Sequence, residues 1–180
     1  FALPEDLTTP RPFWDKPLSN WEMVDVGVRS NFVAAWHAAQ IMVPQRSGLI
    51  VAISGYVGVT YTYGVVFGTC KSAVDRMARD MAVELKPHHV ASISLWQGLT
   101  FTERAERNLA RNPEMKTRTV TNPAVGCSAE FPGRVIAALA IGAVIRAIRR
   151  RRANDPRRLQ REAEAKALND WLSAMDVALD

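Results

Sequence analysis

Two short apolar runs, each following a long segment of helical periodicity, constrain this chain more than any other feature. Leu49-Ile50-Val51-Ala52-Ile53-Ser54 is apolar up to its last residue, and Val90 to Trp96 has a similar character. Strands exposed on one face alternate apolar and polar residues, whereas continuous apolar strands belong to parallel sheets covered on both faces. Ahead of the first run, Val24, Val28, Phe32, Ala35, Ala39 and Met42 recur at helical spacing. They predict a helix over Trp21 to Val43, capped by Ser19 with Glu22 three residues on, and ended by Pro44 and the turn at Ser47-Gly48. A second helix is predicted from about Tyr63 to Leu85, ending near Pro87. The order helix, strand, helix, strand is that of an α/β domain.

The remainder is less regular. Residues 1–19 hold Pro4, Pro10, Pro12 and Pro17 and read as an irregular loop, so the chain is expected to open part-way through a domain. After Thr102 come a charged helix to about Arg111 and an irregular stretch with Pro113, Pro123, Gly126 and Pro132. Helices are predicted over Arg134 to Arg152 and Leu159 to Leu179, the latter weakly amphipathic. The chain shows no internal repeat.

Charge is placed unevenly. The net charge is +5 over 180 residues, yet residues 141–180 alone hold nine Lys/Arg against six Asp/Glu, with eight arginines from Arg146 to Arg161. No aromatic residues interleave that run, so it reads as a solvated basic helix end; nucleic acid is not an expected partner. Cys70 and Cys127 fit neither a disulfide framework nor metal-ligand spacing. His37, His88 and His89 add no ligand cluster, so no metal is expected. The apolar stretch Val135 to Ile145 runs eleven residues, far short of the roughly 20 that span a bilayer. It reads as a buried or interfacial helix. No secretory signal is visible, and a cytoplasmic location is the expectation.

The chemistry-bearing residues lie around the first run and second helix. Ser54 closes the first strand, Phe67 follows thirteen residues later, and Lys71 four after that. Four residues make about one helical turn, so positions 67 and 71 share a face aimed at the strand's carboxyl end, where open α/β sheets bind ligands. With the flanks Gly48-Leu49-Ile50-Val51, Lys71-Ser72-Ala73-Val74-Asp75-Arg76-Met77-Ala78 and Val90 to Gly98, these intervals resemble the short-chain dehydrogenase/reductase family. Phe13-Trp14, Val26-Gly27-Val28-Arg29 and Ser94-Leu95-Trp96 are most similar to its member-1 type.

The resemblance covers about residues 1–140 and implies the C-terminal half of a Rossmann-like, doubly wound parallel sheet with flanking helices. Residues 141–180, an Arg-rich helical tail, show no such likeness. It implies NAD- or NADP-dependent oxidation or reduction of an alcohol/carbonyl pair on a small-molecule substrate. Ser54 would orient the substrate oxygen, Lys71 would hold the nicotinamide ribose, and Gly98 and Thr102 would contact the cofactor. Position 67 is the family's acid–base tyrosine, and Phe67 has no hydroxyl. The family's relay asparagine is matched by Gly27, its Pro-Gly turn by Gln97-Gly98, and its glycine-rich phosphate turn is not found. Impaired or absent turnover is therefore expected, since general acid–base catalysis contributes typically 10²–10⁴-fold. The alternatives are a non-catalytic remnant that self-associates through the helices at 21–43 and 63–86, and an anionic partner on the arginine tail. Ser54 and Lys71 could also be a turn serine and a solvated helix lysine, and Thr102 a plain helix cap.

Overall fold

The computed structural model describes residues 11–111 and 126–153, together with Thr9, Pro113, Gln160 and Lys166. The predicted helix over Leu159 to Leu179 lies outside the described residues apart from Gln160 and Lys166. The chain divides into two compact units, residues 1–140 and 141–180.

In the first unit, helix α1 (Glu22–Gln45) leads into strand β1 (Gly48–Ser54), helix α2 (Val65–Leu85) and strand β2 (Val90–Trp96). The two strands pair in parallel, with Gly48 opposite Val90 and Ser54 opposite Trp96. This is one βαβ unit: α2 packs on both strands and on α1, which also contacts β1. The expected α/β class and parallel pairing are what the chain adopts, with two strands of the sheet present among the described residues. Beyond β2 lie β3 (Thr100–Phe101), α3 (Glu103–Arg111) and β4 (Cys127–Ser128), with β3 and β4 pairing in parallel over two residues. That small pair was not legible in a stretch of prolines and polar residues. Helix α4 (Glu130–Ala153) completes the described elements.

Local chemistry accounts for the boundaries, twice against expectation. Ser19 does not cap α1. It lies within a 3-10 helix, Leu18–Trp21, that runs directly into α1, and the N-cap residue Trp21 makes no side-chain capping bond. Nor does Pro44 end the helix. It sits in the last turn, and α1 closes one residue later with Arg46 in the left-handed region at φ 52°. The Ser47 amide bonds the Met42 carbonyl and the Arg46 amide the Val43 carbonyl, a Schellman closure that satisfies two otherwise orphaned carbonyls. A proline late in a helix removes only one amide, so this closure tolerates it. Strand β1 begins at Gly48 and α2 at Val65, after Gly64 at φ 95°.

The core lies where α2 meets the sheet. Ala52, Val74 and Ala78 form its centre, with Val28 of α1 packed against them. Val74 is only 2% exposed. Cys70, Val74 and Ala78 recur every four residues along α2 and are all buried, so one stripe of that helix faces inward. Cys70 also ties α2 to α1, its Sγ lying 3.7 Å from the Met23 carbonyl oxygen.

Candidate active site at the carboxyl ends of the strands

Phe67, Lys71 and Asp75 form a second stripe on α2, about 100° round the helix from the buried one. The helix is anchored beside β1 by a short turn, Tyr56–Gly58, which packs onto it. The Ser72 hydroxyl donates to the Gly58 carbonyl. A Cβ at Gly58 would sit 2.7 Å from Asp75 Oδ2 and 3.3 Å from the backbone of Lys71 and Ser72, so any side chain there would have to displace the Asp75 carboxylate, and the close approach favours glycine.

The structure brings Ser54, Phe67 and Lys71 together. Ser54 is buried, 3% exposed, and its hydroxyl donates to the Lys71 carbonyl at 3.4 Å. In return the Lys71 ammonium donates to the Ile53 carbonyl at 3.1 Å. The same ammonium lies 5.8 Å from the centre of the Phe67 ring, within cation–π range. Burial holds the Lys71 ammonium below the ordinary lysine value, countered by Cys70 and Asp75. Burial likewise pushes the Cys70 thiol up, with Lys71 pulling the other way. A buried thiol with a raised pKa is a packing residue rather than a nucleophile.

Phe67 carries no hydroxyl, and the three tyrosines are placed around it or away from it. Tyr63 packs its ring edge-on against Phe67, centroids 5.5 Å apart, and Tyr56 packs edge-on against Trp96. Tyr61 is 77% exposed. At the Gly27 position of α1, the backbone carbonyl accepts a bond from Asn31 Nδ2 at 2.7 Å.

Gly98 and Thr102 lie beyond β2, on the connection to α3. Thr102 caps that helix: its Oγ1 accepts from the Ala105 amide at 3.2 Å, and its carbonyl accepts from the Glu106 amide. The oxygen is an acceptor in that cap, which leaves its own proton available to donate outward. Gly98 is exposed.

Asp75 is the site residue that sequence reasoning missed. Its Oδ1 accepts from the Ser94 hydroxyl and, at 3.0 Å, from the Trp96 indole. Oδ2 is buried with no hydrogen-bond partner among the described residues. The carboxylate thus ties α2 to the end of β2, just ahead of Gln97-Gly98. The signal was present: Asp75 continues the four-residue spacing of Phe67 and Lys71. No group of three or more His, Cys, Asp or Glu that could hold a metal converges among the described residues.

A family model described as short chain dehydrogenase matches residues 7–112. The chain belongs to the short-chain dehydrogenase family. Mouse dehydrogenase/reductase SDR family member 1 is 36% identical over 138 residues, which are 74% of this chain and 44% of that protein. The human protein of that name is 37% identical over 105 residues, 58% of this chain and 34% of its own length. The chain therefore spans less than half the length of these curated relatives. Among solved structures, a Tyr-to-Phe variant of ElxO with NADPH bound superposes with a TM-score of 0.62 at 18% identity, covering 72% of this chain and 54% of ElxO. Acetoin dehydrogenase from Enterobacter cloacae gives 0.58 at 22% identity, over 74% and 53% of the two chains. At such identities these structures support the fold alone. The family is one of oxidoreductases, and this chain is similar to its member-1 type.

Proposed function

We propose that residues 1–140 carry the substrate-side half of an NAD(P)-dependent site for an alcohol/carbonyl pair, arrested by a phenyl ring at the acid–base position. The observation carrying this reading is the placement of Ser54, Phe67 and Lys71 at the carboxyl end of β1, with the lysine ammonium facing the ring. Ser54 would orient the substrate oxygen. Lys71 uses one of its three N–H groups on Ile53 and is half-buried, which suits it to the hydroxyls of a nicotinamide ribose. Thr102, with a donor to spare, and the exposed Gly98 would receive the carboxamide end. These residues fit the nicotinamide half of a dinucleotide; when bound, that group supplies or accepts hydride. What the chain lacks at position 67 is a group that can hold or move a proton at the substrate oxygen.

A Tyr-to-Phe change need not abolish cofactor binding, since the ElxO variant carrying one is described with NADPH bound. The expected behaviour is therefore cofactor contact with negligible turnover. Carbonyl reduction at saturating NADPH should rise about 10²–10⁴-fold in Phe67→Tyr over the unsubstituted chain. A wild-type chain that already reduces carbonyls at the Phe67→Tyr rate would sink the acid–base assignment. NADPH titration unchanged by Lys71→Met would sink the cofactor assignment.

A second reading rests on exposed apolar residues of α1. Val26, Phe32, Val33 and Trp36 are each between 43 and 53% exposed, which suits pairing with a second copy through the region of residues 21–43 and 63–86. Light scattering should then give twice the chain mass, falling to one in Phe32→Glu. Among the described residues no helix is long and apolar enough to cross a membrane. A cytoplasmic location remains part of the proposal.

A further inference from the structure

The second unit, described from residue 141 to 153, is helical, and its side chains divide into two chemistries. Ile141, Val144, Ile145 and Ile148 follow steps of three, one and three, which places them on one helical stripe. All four face solvent, exposed by 60, 56, 43 and 47%. Among the described residues, no heavy atom outside the helix's own backbone lies within 4 Å of a Cβ built on Gly142. Arg146 and Arg149 are also exposed, and each follows a stripe residue, about 100° round the helix from Ile145 and Ile148. The sequence continues Arg150-Arg151-Arg152, and no Asp or Glu occurs between Ile141 and Ala153.

We propose that this segment lies in the interface of an anionic lipid surface, with Ile141, Val144, Ile145 and Ile148 in the acyl boundary and the arginines among the headgroups. Charge and shape together select that occupant. A nucleic acid would satisfy the arginines and leave the isoleucines in water. A second copy of the segment would cover the isoleucines but leave the arginines without anionic partners. A bilayer with acidic headgroups offers apolar and anionic layers at adjacent depths, and arginine stems reach between the two. The apolar stretch is too short to span, so the helix lies along the surface rather than through it.

The test is sedimentation of the full chain with phosphatidylcholine/phosphatidylserine vesicles against phosphatidylcholine alone, with helicity followed by circular dichroism. Binding is expected to the mixed vesicles and to weaken with added salt. Arg146→Gln and Arg149→Gln should each lower the partition constant about fivefold, with the helix retained. Ile145→Ser should lower it roughly tenfold. Equal binding to neutral and anionic vesicles would overturn the proposal, as would partitioning indifferent to Ile145→Ser. Failure to sediment with mixed vesicles, alongside retention on immobilised duplex DNA that survives Ile145→Ser, would assign the arginines to nucleic acid instead.

Discussion

Truncating Asp75 to alanine tests how the site is held together. The change removes the acceptor for both the Ser94 hydroxyl and the Trp96 indole. Hydrogen bonds to a charged group contribute roughly 1.5–3 kcal/mol each when shielded. Trp96 is 46% exposed, so water replaces Asp75 readily at the indole and that bond is worth about 1 kcal/mol. Ser94 is only partly exposed, and its bond sits near 2 kcal/mol. Against these stands Oδ2, buried with no hydrogen-bond partner among the described residues, whose removal returns about 1 kcal/mol of desolvation cost. The net loss for Asp75→Ala is then about 2 kcal/mol in urea unfolding. Double-mutant cycles separate the terms: Asp75→Ala with Trp96→Phe should couple by about 1 kcal/mol, and with Ser94→Ala by about 2. Coupling below about 0.3 kcal/mol in both cycles, within the usual error of additivity, would refute a carboxylate clamp. An intact clamp predicts a second effect. The Trp96 contribution to near-ultraviolet circular dichroism should persist in Ser94→Ala and collapse in Asp75→Ala.

Two further outcomes follow from packing and burial. Val74→Ala deletes two methyl groups at the most buried position of the core and should cost about 2 kcal/mol in urea unfolding, with the m-value unchanged; a loss under about 0.5 kcal/mol would mean that the centre lies elsewhere. In alkali, Cys70 and Lys71 act in opposite directions. The raised Cys70 pKa gives stability that is complete below 9.0 and lost as pH climbs through the folded value. The lowered Lys71 pKa means stability gained as pH rises from its folded value towards 10.5. Lys71→Met should therefore steepen the alkaline loss and Cys70→Ala should flatten or reverse it, read from thermal melts across pH 8 to about 10.5.

The elements that the sequence made legible are those in which one physical signal dominates. Strands β1 and β2 and helices α1 and α2 followed from runs of mostly apolar residues and from helical spacing, signals long enough to outweigh the few polar residues within them. Ser54, Phe67 and Lys71 were singled out by a family resemblance, and the structure sets Phe67 and Lys71 one turn apart on α2 beside Ser54 at the end of β1. The misses arose where competing solutions were equally available. Ser19 had the chemistry of a cap, but a 3-10 turn satisfied the entry into α1 without it. Pro44 had the chemistry of a stop, but the Schellman closure at Arg46 absorbed it within the last turn. The β3–β4 pair rests on two residues from each strand, too few for any period to register. Asp75 went unremarked because an aspartate on a helix is ordinarily solvated; only the register of β2 shows which donors arrive opposite it.

A phenyl ring rather than a phenol at position 67 is compatible with the fold because α2 separates its tasks by face. Cys70, Val74 and Ala78 carry the packing against the sheet and α1, while Phe67, Lys71 and Asp75 occupy the neighbouring stripe. Replacing tyrosine by phenylalanine on the second stripe removes one polar atom and leaves the buried surface of the first untouched. The phenyl ring also imposes a weaker constraint than a phenol would. A phenol beside a half-buried ammonium requires the ammonium to stay charged and aimed, whereas a phenyl ring asks only for a cation–π contact of about 0.5–1 kcal/mol. Lys71 is correspondingly turned to the Ile53 carbonyl at the strand end. On the proposed assignment folding is indifferent to a hydroxyl at position 67, and adding one should leave stability nearly unchanged. Phe67→Tyr is expected to unfold within about 1 kcal/mol of the unsubstituted chain while changing turnover by orders of magnitude. A Phe67→Tyr chain destabilised by several kcal/mol would show that the phenyl ring belongs to the packing stripe, and that separation by face does not hold.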